Sequence, residues 1–261
     1  MENLNLLSLS ITTGSYQNIT ENILALAKAR VSSYTCVANV HMLIEAHKDK
    51  TFADVVNGAD IVTPDGKPIT WGLRLMHHHE QERVAGMDLL PDLLAGAIHM
   101  QIPVYFLGGT LEVLEKTKQH AKEKCPDLQV AGMFSPPFRT LTTAEEEEIV
   151  QNINNSGAGL VLVAMGCPKQ EKWMASMKGR VQASMVGIGG ALPVMIGAQK
   201  RAPRWMQNAG LEWIYRLSQE PRRLFKRYAI TNTTFIWLLA RQYLAYKFFL
   251  SNQVEDYTGY N

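Results

Sequence analysis

The run Leu160-Val-Leu-Val-Ala-Met165 is apolar at every position, and it constrains the fold more than any other stretch. A strand without a polar face must be covered on both sides, as the central strands of a parallel sheet are. Other short apolar or β-branched runs lie at Leu6–Thr12, Tyr34–Val40, Asp60–Thr63, Val104–Leu107, Leu128–Met133 and Val181–Ile188. Helical patterns separate them, over Asn18–Arg30, His41–Asn57, Met87–Met100, Leu111–Lys124, Thr143–Asn155 and Lys169–Met177. This alternation predicts an α/β fold, a doubly wound, mostly parallel, Rossmann-like sheet with helices on both faces. Ligand sites in such sheets gather at the carboxyl ends of the strands.

At 261 residues the chain is long for one α/β domain and short for two. A catalytic core over residues 1–200 and a helical appendage over 201–261 fit that length. Charge marks the division. Between Gln199 and Leu250 ten Lys/Arg face only Glu212 and Glu220, whereas the whole chain carries a net charge of only +2. A basic tail on an acidic body implies an anionic partner, whether phosphate, nucleic acid or lipid headgroups. Pro221 suits the first turn of a helix, and Leu224, Phe225, Tyr228, Phe235, Trp237, Leu238, Tyr243, Tyr246, Phe248 and Phe249 follow it. These side chains can pack on the body or sit at headgroup depth in an anionic membrane, and a mixture of the two is expected. The exposed apolar tail also allows for a homo-oligomer.

Other features narrow the class. Cys36, Cys125 and Cys167 are far apart and form neither a zinc pattern nor a disulfide framework, which fits a reducing compartment. The chain opens without a secretory signal and holds no apolar stretch of roughly 18 residues, so a cytoplasmic protein is expected. Thr143 and Glu146 have the spacing of a capping box, and His77–His79 reads as an exposed turn rather than a metal cluster.

The residues that could carry chemistry sit at predicted strand ends. Asp65 follows the strand Asp60–Thr63 in a Pro-Asp-Gly turn, and Asn39 ends the strand before it. The patch Arg83-Val-Ala-Gly86-Met-Asp88 precedes a helix. Gly108-Gly109-Thr110 opens another and resembles an anion cradle. Gly166-Cys-Pro168-Lys-Gln170-Glu171 and Gly187-Ile-Gly189-Gly190 repeat that arrangement. Four such loops on one sheet edge suit a nucleotide-sized ligand. The dinucleotide fingerprint and the phosphate loop are both absent, which disfavours an NAD or FAD dehydrogenase and a P-loop enzyme. No Asp-x-Asp pair occurs either, so arginines would have to neutralise a departing diphosphate.

Taken in order, Asn39, Thr63-Pro-Asp65-Gly66, Arg83-Val-x-Gly86-x-Asp88, Gly166-x-Pro168-x-Gln170-Glu171, Gly187-x-Gly189-Gly190, Arg201-Ala-Pro203 and Gly210-Leu-Glu212-Trp213-x-x-Arg216-Leu-x-x-Glu220-Pro221-x-Arg223 resemble the WecG/TagA/CpsF glycosyltransferases, glycosyltransferase family 26. The chain departs from the family pattern at Val37, at Lys67-Pro68 and at Ala191-Leu192-Pro193. The resemblance implies an inverting transfer without metal or cofactor, from a UDP-sugar to a polyprenyl-diphosphate-linked saccharide, at the inner membrane face. It implies Asp65 as general base, with Asn39 and Gln170 orienting sugar hydroxyls. Arg83, Arg216 and Arg223 would hold diphosphate, while Gly108, Gly109 and Gly189 are expected at the substrate site from their place in strand-end turns rather than from the resemblance. The resemblance also divides the tail: residues 201 to about 227 complete the site, and the stretch from Phe235 to Leu250 meets the membrane.

A nucleotide- or nucleic-acid-binding protein that uses the basic tail is the competing reading. No recognition motif for nucleic acid is present, so none is expected as a partner.

Overall fold

The computed structural model describes the backbone of residues 1–258 and the side chains of residues 1–247. Strands β1 (Glu2–Leu6) and β2 (Leu9–Thr13) form an antiparallel hairpin, followed by α1 (Tyr16–Lys28). Then come β3 (Ser33–Ala38), α2 (Val40–Lys48), α3 (Lys50–Asn57), β4 (Ile61–Pro64), α4 (Lys67–His77) and α5 (Gly86–His99). The next elements are β5 (Val104–Gly108), α6 (Leu111–Lys124), β6 (Val130–Phe134), α7 (Thr143–Asn155), β7 (Leu160–Ala164), α8 (Lys169–Met177) and β8 (Ser184–Gly187). Helices α9 (Ala191–Met195), α10 (Arg204–Asn208), α11 (Glu212–Gln219) and α12 (Pro221–Thr258) complete the described chain.

Six strands form one all-parallel sheet in the order β4-β3-β8-β7-β5-β6. The run that is apolar throughout is β7, an interior strand whose residues Leu160 to Val163 are all fully buried. Its side chains alternate between two cores. Val161 and Val163 join Tyr34, Cys36 and Met185 on one face, under α2, α3, α4, α7, α8 and part of α12. Leu160 and Leu162 join Phe106 and Val186 on the other face, under α1, α5, α6 and α9. The period-2 direction of strand side chains separates the two layers.

Three expectations about elements change. Leu6–Thr12 is not one strand of the parallel sheet but the turn and second strand of a two-stranded antiparallel sheet. The chain reverses at Leu7, whose φ is 52°, and Leu6 pairs with Leu9 in the hairpin. The hairpin instead lies along the β4 edge, where Thr12 Oγ1 accepts from the Val62 amide at 3.0 Å, so the edge is covered. The pattern His41–Asn57 breaks at Asp49, whose extended backbone ends α2 and whose carboxylate caps α3 by accepting from the Phe52 amide at 3.2 Å. The capping box of α7 sits one residue earlier than expected, on Thr142 and Glu145, because Thr142 has the extended backbone a cap requires.

The tail divides by face rather than by position. Leu224, Thr231, Phe235 and Leu238 are buried, and Phe235 and Leu238 belong to the core that contains α2. Phe225, Ile236, Trp237 and Leu244 on the same helix are exposed. The expectation that the stretch from Phe235 onward faces a membrane is therefore corrected for Phe235 and Leu238, whose helical spacing turns them inward. Phe248, Phe249 and Leu250 lie outside the described side chains. Among the described residues no helix is long and apolar enough to cross a membrane.

Candidate active site

A cavity of about 530 Å³ opens where the carboxyl ends of β3, β4, β7 and β8 meet α11 and α12. Its volume falls in the range of small-molecule sites. The strand ends form one wall and the first turns of α11 and α12 the other.

Asp65 stands one residue beyond β4. Its amide donates to Ala38 O at 2.8 Å, which extends the β3–β4 ladder and fixes where the side chain emerges. Gly66, with φ at 99°, then turns the chain into α4, a backbone that favours glycine. Asp65 is part-buried, and desolvation raises its pKa to about 7. Within that net value Glu212 adds to the rise, Arg83 and Arg216 oppose it, and Asp88 adds a smaller rise. A carboxyl with a pKa near neutrality is suited to proton transfer.

Asn39 also lines the cavity, but its side-chain oxygen accepts from the Met42 amide at 3.1 Å and so caps α2. Gln170 is buried against the Gly166 loop. Its Oε1 accepts from the Gly166 amide at 3.1 Å, and its Nε2 donates to Glu171 Oε1 at 2.7 Å. Gln170 thus braces the loop on the cavity wall, and Gly189 lies beside it on the same wall.

Arg83 is held by the segment that runs into α5. The Val84 amide donates to Pro64 O at 3.0 Å, and Thr63 Oγ1 donates to Val84 O at 3.1 Å, which ties this segment to the end of β4. The guanidinium donates to Glu212 and to Asp88, each at 2.8 Å. Arg216 reaches over Gly190, where an added Cβ would stand 3.0 Å from its Nη2. Arg223 pairs with Glu220, and both line the cavity.

Gly108 and Gly109 are not among the residues lining the cavity. Gly108 has φ at 107°, and a Cβ there would sit 2.6 Å from the Ala164 backbone. This glycine therefore allows the ends of β5 and β7 to pack closely.

The chain matches the model of the Glycosyl transferase WecG/TagA/CpsF family over residues 4–248. It belongs to that family. The family consists of glycosyltransferases of surface polysaccharide synthesis, so the protein is a glycosyltransferase. The match takes in α11 and most of α12 as well as the α/β body. The body and the C-terminal helices thus belong to one family unit and share one cavity.

Sequence reasoning did not assign His41, Lys67 or Tyr228 to the site and covered Trp213 and Arg227 only within the site-completing stretch from 201 to about 227, yet all five line the cavity. Trp213 and Tyr228 meet edge to face, with ring centroids 5.8 Å apart. A signal for the C-terminal members exists. Glu212, Arg216 and Glu220 recur at helical spacing, as do Leu224, Arg227, Tyr228 and Thr231, and each set marks one inward stripe.

Proposed function

We propose that this glycosyltransferase moves a sugar from a UDP-sugar to a polyprenyl-diphosphate-linked saccharide by direct, inverting displacement, without a metal. The observation that carries the reading is one cavity that pairs Asp65, with a pKa near 7, with Arg216, Arg223 and Arg227. Asp65 takes the proton from the acceptor hydroxyl as its oxygen attacks the anomeric carbon. The bond to UDP breaks on the opposite side, and arginines stabilise the departing diphosphate. Asn39, on the same cavity wall, orients a sugar hydroxyl.

Arg83 contributes less directly to diphosphate binding, because two protein carboxylates already occupy it. Attachment to the inner membrane face is assigned to the outward face of α12, where Phe225, Ile236, Trp237 and Leu244 are exposed beside Lys226 and Arg241. A helix with aromatics and bases on one side brings the site to an acceptor that is anchored in lipid.

The test is a donor screen against a synthetic polyprenyl-diphosphate-sugar acceptor, with the product mass read by mass spectrometry. A new saccharide from a UDP-sugar is the expected result. UDP is also expected to raise the melting temperature, while NAD and oligonucleotides leave it unchanged. Binding of duplex DNA with steep salt dependence and no response to UDP would sink the reading.

A further inference from the structure

A ladder of alternating charge crosses the seam between the α/β body and the C-terminal helices. Glu212, on the first turn of α11, accepts from Arg83 at 2.8 Å. Arg83 donates with its other nitrogen to Asp88, at 2.8 Å in the first turn of α5. The second oxygen of Asp88 accepts from Arg201 at 2.5 Å. The inner rungs are well shielded, with 14% of the Arg83 side chain exposed and 20% of Glu212. Charge pairs so shielded are screened less by salt than surface pairs, so their fields reach neighbouring groups.

The neighbouring group is Asp65. Arg83, Glu212 and Asp65 line the same cavity, yet Arg83 directs its donors to Glu212 and Asp88. Among the described residues no side-chain cation forms an ion pair with Asp65. The base thus shares its cavity with the Glu212 carboxylate, while the Arg83 guanidinium is paired with other acids.

We propose that Glu212 is a positioning residue: it clamps Arg83 and sets its own negative charge beside Asp65, so that seating α11 and arming the base are one event. This inference rests on Asp65 being the general base. It assigns to the C-terminal segment a task beyond holding substrate. A chain in which α11 is displaced would leave Arg83 free to turn toward Asp65 and hold it as a weakly basic, paired carboxylate.

The direction of the effect follows from the charges around Asp65. Burial raises its pKa most, and Glu212 is the largest charged contributor in the same direction, with Asp88 behind it. Arg83 and Arg216 oppose them. Glu220 at the end of α11, Arg223, Arg227 and Tyr228 from α12, His41 from α2, Lys67 from α4 and Cys167 before α8 complete the ionisable lining. Removing the Glu212 charge therefore lowers the pKa of Asp65. A weaker base is ionised at lower pH but takes the acceptor proton less well.

The experiment is the pH dependence of kcat/KM for the full chain, for Glu212→Gln and for Glu212→Asp. The Gln variant is expected to move the acid limb about 0.5–1 unit toward lower pH and to lower the plateau. The Asp variant keeps the charge and is expected to restore most of the original limb, whereas a purely structural role would leave all limbs in register. If Glu212→Gln is too slow to assay, the Asp65 carboxyl is titrated by carbon NMR, with its resonance assigned by loss in Asp65→Asn. A downward shift there supports the proposal. An unmoved limb or resonance overturns it, as does a Gln variant that fails to fold, because the neutral isostere still offers Arg83 an oxygen. Retained turnover in Asp65→Asn would instead discard the general-base reading on which this inference rests.

Discussion

Asp65 has a folded-state pKa of about 7 against an ordinary carboxyl value of 3.8, and this has consequences for catalysis and for stability. Activity should fall on the acid side of about pH 7 as the base becomes protonated, and Asp65→Asn should abolish transfer while UDP binding stays nearly intact. Isothermal titration with UDP beside a turnover assay separates the two. For stability the sign is the reverse of that for a salt-bridged carboxylate. Below pH 3.8 the group is neutral in both the folded and unfolded chain, so it costs nothing. As pH rises from there toward 7 the unfolded chain ionises first, and the folded state loses stability until both are charged. Asp65→Asn should therefore match the parent near pH 4 and exceed it at pH 8 by about 1–3 kcal/mol, discounted because the carboxyl opens on a cavity. Urea unfolding at pH 5 and pH 8 measures the difference; a gain that shrinks with rising pH contradicts it.

At the scale of elements, strand ends and helix caps share residues with the site. Asn39 caps α2 with its oxygen and lines the cavity, so Asn39→Ala should cost about 1 kcal/mol of stability in addition to any loss of rate. Asn39→Asp should keep the cap, and comparing the two by thermal unfolding separates capping from catalysis. Gly108 offers a contrasting case. Its positive φ and the 2.6 Å approach of the Ala164 backbone make Gly108→Ala destabilising by about 2 kcal/mol or more. The donor KM of the folded fraction should stay unchanged, because this glycine lies outside the cavity. A raised KM at unaltered melting temperature would restore Gly108 to the binding site.

At the scale of the whole molecule, α12 is at once a core element, a cavity wall and an exposed apolar face. Deleting residues 222–261 removes Leu224, Phe235 and Leu238 from burial and Arg227, Tyr228 and Thr231 from the cavity. Such a chain should melt at lower temperature, lose transfer and leave anionic liposomes. Replacing only Ile236, Trp237 and Leu244 with Gln should weaken liposome sedimentation while leaving the melting temperature within about 2 °C, because all three are exposed. A large drop in melting temperature for that variant would show that the outward face is packed rather than free.

Much of the fold was legible because strands and helices leave different periods in the chain. The unbroken apolar run Leu160–Met165 marked an interior strand, and the turn at Asp65 marked a strand's carboxyl end. The hairpin at Leu7, the break at Asp49 and helix α4 were not legible, since each depends on which partner a short segment finds rather than on its own pattern. In the site, the sequence by itself determined which residue types were available: one carboxylate at a strand end, glycine turns and a basic C-terminal stretch. Only the tertiary structure decided how they are used. It turned Phe235 and Leu238 inward, placed Gly108 and Gly109 outside the cavity, and spent Arg83 on Glu212 and Asp88. Local pattern reports the period of burial along one element. Which charges face one another is set by how distant elements pack, and Glu212 and Arg83, 129 residues apart, meet only in the folded chain.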